Sequence, residues 1–278
     1  MLVSTDMSST ETLQEVTATL NHLEPSPERP YVYMYDPPPG VPQRTGDYRG
    51  HAVAIRDVRP IAKQLSLDKH GFVLLPQQTL VDDFYDDAKV KSVYYPELES
   101  LVQQLTGGSR ALMFDHTLRS ARAGGQADNV KDPVKAVHND YTFASGPQRL
   151  RDLLPAEVSV DRFGIYNVWR PIRGTVYDTP LALCDARTIA KSDLIATEMR
   201  YRDRIGETFA IAFNPNQRWY YAPRMQRDEV FIFKCFDSAP GDGPPFTAHT
   251  AFDDPTAPAG APPRESIEAR LLVLNPTN

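Results

Sequence analysis

The chain has 278 residues, 41% hydrophobic and 24% charged, values that exclude a wholly disordered or fibrous protein and suffice for one large core. Its 25 prolines against 15 glycines oppose a fold built mainly of helices. A net charge of −6, with Lys and Arg dispersed along the chain, leaves no basic footprint for nucleic acid.

Residues 1–28 are rich in Ser, Thr and Glu and end in Pro25-Ser26-Pro27, which predicts a flexible arm ahead of a single domain over 29–278. The first residues carry neither a basic n-region nor an apolar h-region, and no apolar run approaches the length of a membrane span. The expectation is a cytoplasmic protein with no membrane partner. From Tyr31 onward short β-prone pieces appear at 31–35, 51–58 and 70–75, broken by proline and glycine. A helix is predicted over 96–106: Pro96 suits its first turn, Leu98, Leu101, Val102 and Leu105 recur at i, i+3, i+4 and i+7, and Gly107 supplies a stop. Strand signals then follow at 111–116, 134–141, 163–172, 207–214, 218–223, 229–236, 246–252 and 266–274, with no alternating helices. This predicts a mainly β fold with flanking helices, a double-stranded β-helix of the jelly-roll, cupin-like kind. Cys184 and Cys235 lie in apolar runs without Cys-x-x-Cys spacing and read as buried, reduced thiols. The pair Gly124-Gly125 stands in no Walker or G-x-G-x-x-G context and supports no phosphate site.

Of the six histidines, His22, His51 and His70 sit in the arm or near turns and carry no functional argument. His138 and Asp140 are different, because residues i and i+2 of a strand project from one face, aiming an imidazole and a carboxylate into one space. His249, on a distant predicted strand, completes two histidines and one carboxylate, the facial triad that leaves three positions open on a non-haem Fe(II). Further on, Arg264 and Ser266 share a strand face, and a guanidinium fork beside a hydroxyl receives a carboxylate. Two other readings compete. One is a zinc hydrolase or lyase using His116, His138 and His249, the other a non-catalytic jelly-roll accessory module.

The order His138-x-Asp140, His249, Arg264-x-Ser266 resembles the iron and 2-oxoglutarate pattern of the 2-oxoglutarate-dependent dioxygenases. The phrases MFDHTLR (113–119), VHNDYT (137–142), NVWRPI (167–172), PLALCDAR (180–187), HTAFDDP (249–255) and APPRESIEAR (261–270) are similar to one subgroup. That subgroup contains the gibberellin desaturase, the cephem-methoxylase accessory protein and fungal hydroxylase/desaturase proteins of secondary metabolism. The resemblance implies Fe(II) on His138, Asp140 and His249, 2-oxoglutarate held by Arg264 and Ser266, and O2 as oxidant, with succinate and CO2 released. A small-molecule biosynthetic intermediate would be hydroxylated, desaturated or cyclised. Phe114, Arg119, Tyr141, Trp169 and Arg170 are the candidate substrate residues, since aromatic walls with a few polar groups suit a small organic ligand. Trp169 and Arg170 are adjacent on a predicted strand, so only one of them can face the cavity. Substrate identity and oligomeric state stay open.

Overall fold

Short β-prone runs divided by proline and glycine turns pair into two sheets in the computed structural model, which describes residues 14–121, 130–155 and 157–277. The nine-stranded sheet contains β1 (Glu15–Leu23), β2 (Tyr31–Tyr33), β3 (Tyr48–Asp57), β7 (His138–Asn139), β9 (Leu181–Cys184), β10 (Leu194–Arg200), β11 (Ile205–Ile211), β12 (Trp219–Tyr221) and β14 (His249–Ala251). Its spatial order is β1-β3-β12-β9-β14-β7-β11-β10-β2. The six-stranded sheet contains β4 (Phe72–Pro76), β5 (Arg110–Ser120), β6 (Val130–Lys131), β8 (Phe163–Pro171), β13 (Glu229–Asp237) and β15 (Glu265–Leu274), in the order β4-β13-β8-β15-β5-β6. Pairing is antiparallel except for β2 with β10, β3 with β12 and β5 with β6. The architecture is the expected mainly β jelly roll.

Period-two alternation on β15 sorts its side chains by chemistry. Ile267, Ala269, Leu271 and Val273 are fully buried on one face and share a hydrophobic cluster with Leu98 and Val102. Those two belong to α2 (Tyr95–Thr106), which begins with Pro96 in its first turn and ends at Gly107 in the left-handed region, φ 64°. This is the helix expected from the sequence, prolonged upstream by α1 (Asp87–Lys89) and a π turn over Val90–Tyr94. The opposite face of β15 presents Ser266, Glu268 and Arg270 to the space between the sheets. By register these stand opposite Arg119, Thr117 and Asp115 of β5, and Glu268 and Arg270 also face Trp169 and Asn167 of β8.

Four elements, β7, β9, β10 and β1, differ from the sequence reading. The predicted strand over 134–141 contracts to β7, because Ala136 bridges to Asn21 and the chain beyond Asp140 turns into α3 (Ser145–Leu153). There the Thr142 hydroxyl accepts from the backbone N–H groups of Ala144 and Ser145. Strands β9 and β10 were not anticipated. Nor does the loose arm hold for Glu15–Leu23, which pairs with β3 along its whole length; residues 1–13 and Gly124-Gly125 lie outside the described residues. Among the described residues no helix is long and apolar enough to cross a membrane, and the Cys184 and Cys235 thiols are buried and unpaired.

His22 shows how firmly β1 is held. It is fully buried, edge-on to His51, Phe213 and Trp219 at centroid distances of 5.6, 5.5 and 6.1 Å. Burial, reinforced by His51, pulls its pKa from 6.5 down to about 4. Between those values the unfolded chain takes up a proton that the folded chain refuses, so stability is expected to fall as pH drops through that window, by about 3 kcal/mol at most. Urea unfolding of wild type and His22→Phe, compared above and within the window, checks it. Parallel pH profiles for the two proteins would remove His22 from the account.

Candidate functional site

His138 opens β7 with Ala210 of β11 on one side and His249 of β14 on the other. Directly opposed residues of antiparallel strands project from the same face. The two imidazole centroids are accordingly 4.2 Å apart. Asp140 returns to that face two residues on, its Oδ1 lying 3.5 Å from His138 Nε2 and 3.9 Å from His249 Nε2. One ligand atom from each residue lies within 4.8 Å of the others, so a single ion can collect all three.

Neighbouring groups orient this cluster. His138 Nδ1 donates to the Ala136 carbonyl at 2.8 Å; a carbonyl only accepts, so Nδ1 carries a proton and Nε2 is the nitrogen turned toward Asp140. Asn139 points the other way, where its amide donates to the carbonyls of Tyr141 and Cys235 and ties this segment to β13. Asp140 Oδ2 accepts from Asn167 Nδ2 at 2.9 Å, with Arg270 Nη1 at 3.9 Å from the same oxygen. Burial alone would raise the Asp140 pKa, but the hydrogen bond from the His138 imidazole and the charge of Arg270 hold it well below the carboxylate range. Burial would likewise lower His138, and the Asp140 carboxylate overrides it and raises the imidazole above its usual value. For His249 burial prevails, joined by His138, and the pKa falls to about 4, leaving a neutral ring in van der Waals range of Phe233.

The other pole of the cleft is made by Arg264 and Ser266. Arg264 is buried, its guanidinium lies 5.4 Å from the Trp169 ring, and its Nη1 donates to the Thr179 carbonyl at 2.6 Å. Thr179 is held at φ 36°, a backbone state that costs a β-branched residue energy and presents its carbonyl to the guanidinium. Arg264 Nε and Ser266 Oγ are both buried with no hydrogen-bond partner. Burial, with Arg119 nearby, lowers the guanidinium pKa to about 9. A buried cation and hydroxyl with idle donors fit an incoming carboxylate. His138 and His249 line the same cleft as Arg264, together with Arg119, Trp169 and Glu268.

The remaining sequence candidates separate by strand face. Trp169 and Arg119 point into the cleft. Phe114 is the unpaired residue of a bulge on β5 and sits under the Arg149 guanidinium at 5.3 Å, while Tyr141 accepts from Arg149 Nε at 3.3 Å, so these two join a neighbouring cluster. Arg170 is a correction: it stands opposite Ile267 on the far face of β8, where its guanidinium donates to Gln77 and to the Arg227 carbonyl beside the Tyr94 ring. Its donors are occupied in the core behind the sheet. His116 is a second correction, since it pairs with Ala269 on that same outer face and meets the Tyr95 hydroxyl at 2.9 Å. A three-histidine zinc site therefore does not form. Asn167 was missed altogether, although its i+2 relation to Trp169 would have placed it on the inner face.

A family profile described as "Oxidoreductase/YMDC permease-like domain" matches residues 20–274. The chain is 35% identical over 253 residues to the Fe(II)/2-oxoglutarate-dependent dioxygenase nvfI of Aspergillus novofumigatus, covering 87% of this chain and 90% of that protein. It is 32% identical to the hydroxylase/desaturase efuI of Hormonema carpetanum, covering 82% and 84%. A solved structure of the iron and alpha-ketoglutarate-dependent endoperoxidase NvfI superposes with a TM-score of 0.84 at 30% identity, covering 94% of this chain and 98% of that one.

Proposed function

The chain belongs to the Fe(II)/2-oxoglutarate-dependent dioxygenases, and from that premise we propose that His138, Asp140 and His249 hold the iron while Arg264 and Ser266 seat the distal carboxylate of 2-oxoglutarate. The enzyme oxidises a small-molecule biosynthetic intermediate with Fe(II), 2-oxoglutarate and O2. One observation carries the residue assignment: a two-imidazole, one-carboxylate donor set shares a cleft with the unpartnered Arg264 Nε and Ser266 Oγ.

When bound, iron with 2-oxoglutarate supplies O2 activation, consuming the cosubstrate to succinate and CO2 and oxidising a substrate C–H bond. The chain supplies placement. With Arg264 Nη1 engaged by the Thr179 carbonyl, the unpartnered Arg264 Nε and Ser266 hydroxyl would donate to the carboxylate beside the guanidinium charge. Trp169 covers the guanidinium face and keeps water from it. Arg119, at the cleft with Glu268 within 3.9 Å, is placed to meet an acidic group on the substrate. Phe114 and Tyr141 wall the adjoining space with Arg149. We further place the enzyme in the cytoplasm, which the two buried, unpaired thiols support.

Anaerobic titration with Fe(II) and then 2-oxoglutarate tests the assignment. A weak visible charge-transfer band is expected only when both are present. Under O2, succinate formation should accompany substrate loss, with product sixteen mass units above substrate for hydroxylation or two below for desaturation or ring closure. Metal-dependent substrate loss without succinate would overturn it.

A further inference from the structure

The two oxygens of Asp140 stand in different surroundings. Oδ1 faces the Nε2 atoms of His138 and His249, whereas Oδ2 accepts from Asn167 Nδ2 at 2.9 Å and lies 3.9 Å from Arg270 Nη1. Asn167 is fully buried near the middle of β8, opposite Arg270 of β15 and Phe233 of β13. An amide is a costly choice there, since its own Oδ1 has no partner and its neighbours on the same strand face, Ile165 and Trp169, are buried hydrophobic side chains. Packing alone would be met by leucine. Arg270 is itself fixed, by Asp115 at 2.6 Å, Glu268 at 2.9 Å and the Thr117 hydroxyl at 2.9 Å. The amide thus donates to one side of the carboxylate, with the fixed guanidinium charge behind it.

We propose that Asn167, backed by Arg270, is a positioning residue that keeps Asp140 a one-oxygen metal ligand by engaging Oδ2. The inference rests on the metal assignment made above. Carboxylates bind metals through one oxygen or through two. With one, the protein fills three places of a six-coordinate ion, and three remain for a chelating 2-oxoglutarate and O2. With two, only two places remain, too few for both. Asn167 therefore controls how many positions are left open, without touching substrate or cosubstrate.

The test uses Co(II) alone as probe, titrated into wild type, Asn167→Leu and Asn167→Asp while the visible ligand-field spectrum is followed. Leu keeps the volume and loses the donor; Asp keeps the shape and puts an acceptor against Oδ2. Both variants should bind Co(II) about 10–100-fold more weakly, with a spectrum altered in coordination number, as loss of an outer partner of a ligand does. Circular dichroism monitors folding, and if one variant fails to fold the other decides. Wild-type affinity and an unchanged spectrum in the folded variants would overturn the inference. Absence of stoichiometric Co(II) binding by wild type would instead sink the metal assignment beneath it.

Discussion

Replacing Asp140 by alanine is expected to abolish turnover and to reduce Fe(II) binding by more than the roughly 10–100-fold that follows loss of an outer-shell partner. The carboxylate is the only anionic member of the donor set, so its removal leaves two neutral imidazoles for a dication. It also unbalances the cleft, because Arg270 Nη1 and Asn167 Nδ2 lose the oxygen they face. Asp140→Glu is the sharper comparison. The longer arm keeps the charge but moves the carboxylate off the Asn167 amide, so metal content should recover in part while coupling of succinate release to substrate oxidation stays poor. The control is His116→Ala, on the outer face of β5 beside Tyr95, which should leave metal content at the wild-type level. Iron stoichiometry after anaerobic loading and gel filtration measures all three. Retention of iron by Asp140→Ala together with its loss from His116→Ala would reverse the assignment.

The second large effect is expected at Arg264. Deleting one partner of a buried, hydrogen-bonded charge pair costs about 2–5 kcal/mol, so Arg264→Ala should raise the 2-oxoglutarate requirement by roughly 30- to 5,000-fold. Arg264→Lys preserves charge without the planar fork and should fall in between. Because the guanidinium lacks a carboxylate partner among the described residues, the variants should fold as well as wild type in the absence of cosubstrate. What they should lose is the rise in Tm that 2-oxoglutarate confers on Mn(II)-loaded protein. Equal Tm shifts and equal 2-oxoglutarate dependence in wild type and Arg264→Ala would take this residue out of the cosubstrate site.

Much of this site is readable from spacing because strands impose a period of two. His138 with Asp140, and Arg264 with Ser266, declare a shared face before any partner strand is known. The same rule shows that Trp169 and Arg170 diverge, yet which of them turns inward depends on the register of β8 against β15, and that is set across about a hundred residues of intervening chain. β1 escaped notice for a related reason. Its Thr, Glu and Asn content suits a loose segment, and its apolar residues Ala18 and Leu20 acquire meaning only when β3 and β12 present Ile55 and Trp219 beside them. Asn167 is illegible for a third reason: an amide in an apolar strand has no interpretation until the atom it donates to is located.

The position of β15 bears on how the polypeptide is made. This strand lies in the interior of the six-stranded sheet, bonded over ten residues to β5 on one side and over nine to β8 on the other, although both neighbours precede it by a long stretch of sequence. During translation β5 and β8 therefore leave the ribosome with facing edges bare, and the gap between them closes only once residues 265–274 emerge. Until then the apolar flank of β8 lacks its neighbour, Arg119 and Trp169 lack the groups they later face, and the anion-binding pole made by Arg264 and Ser266 is not in place. A ribosome-bound chain halted before Arg264 should consequently resemble a chaperone client more than an enzyme awaiting its last strand.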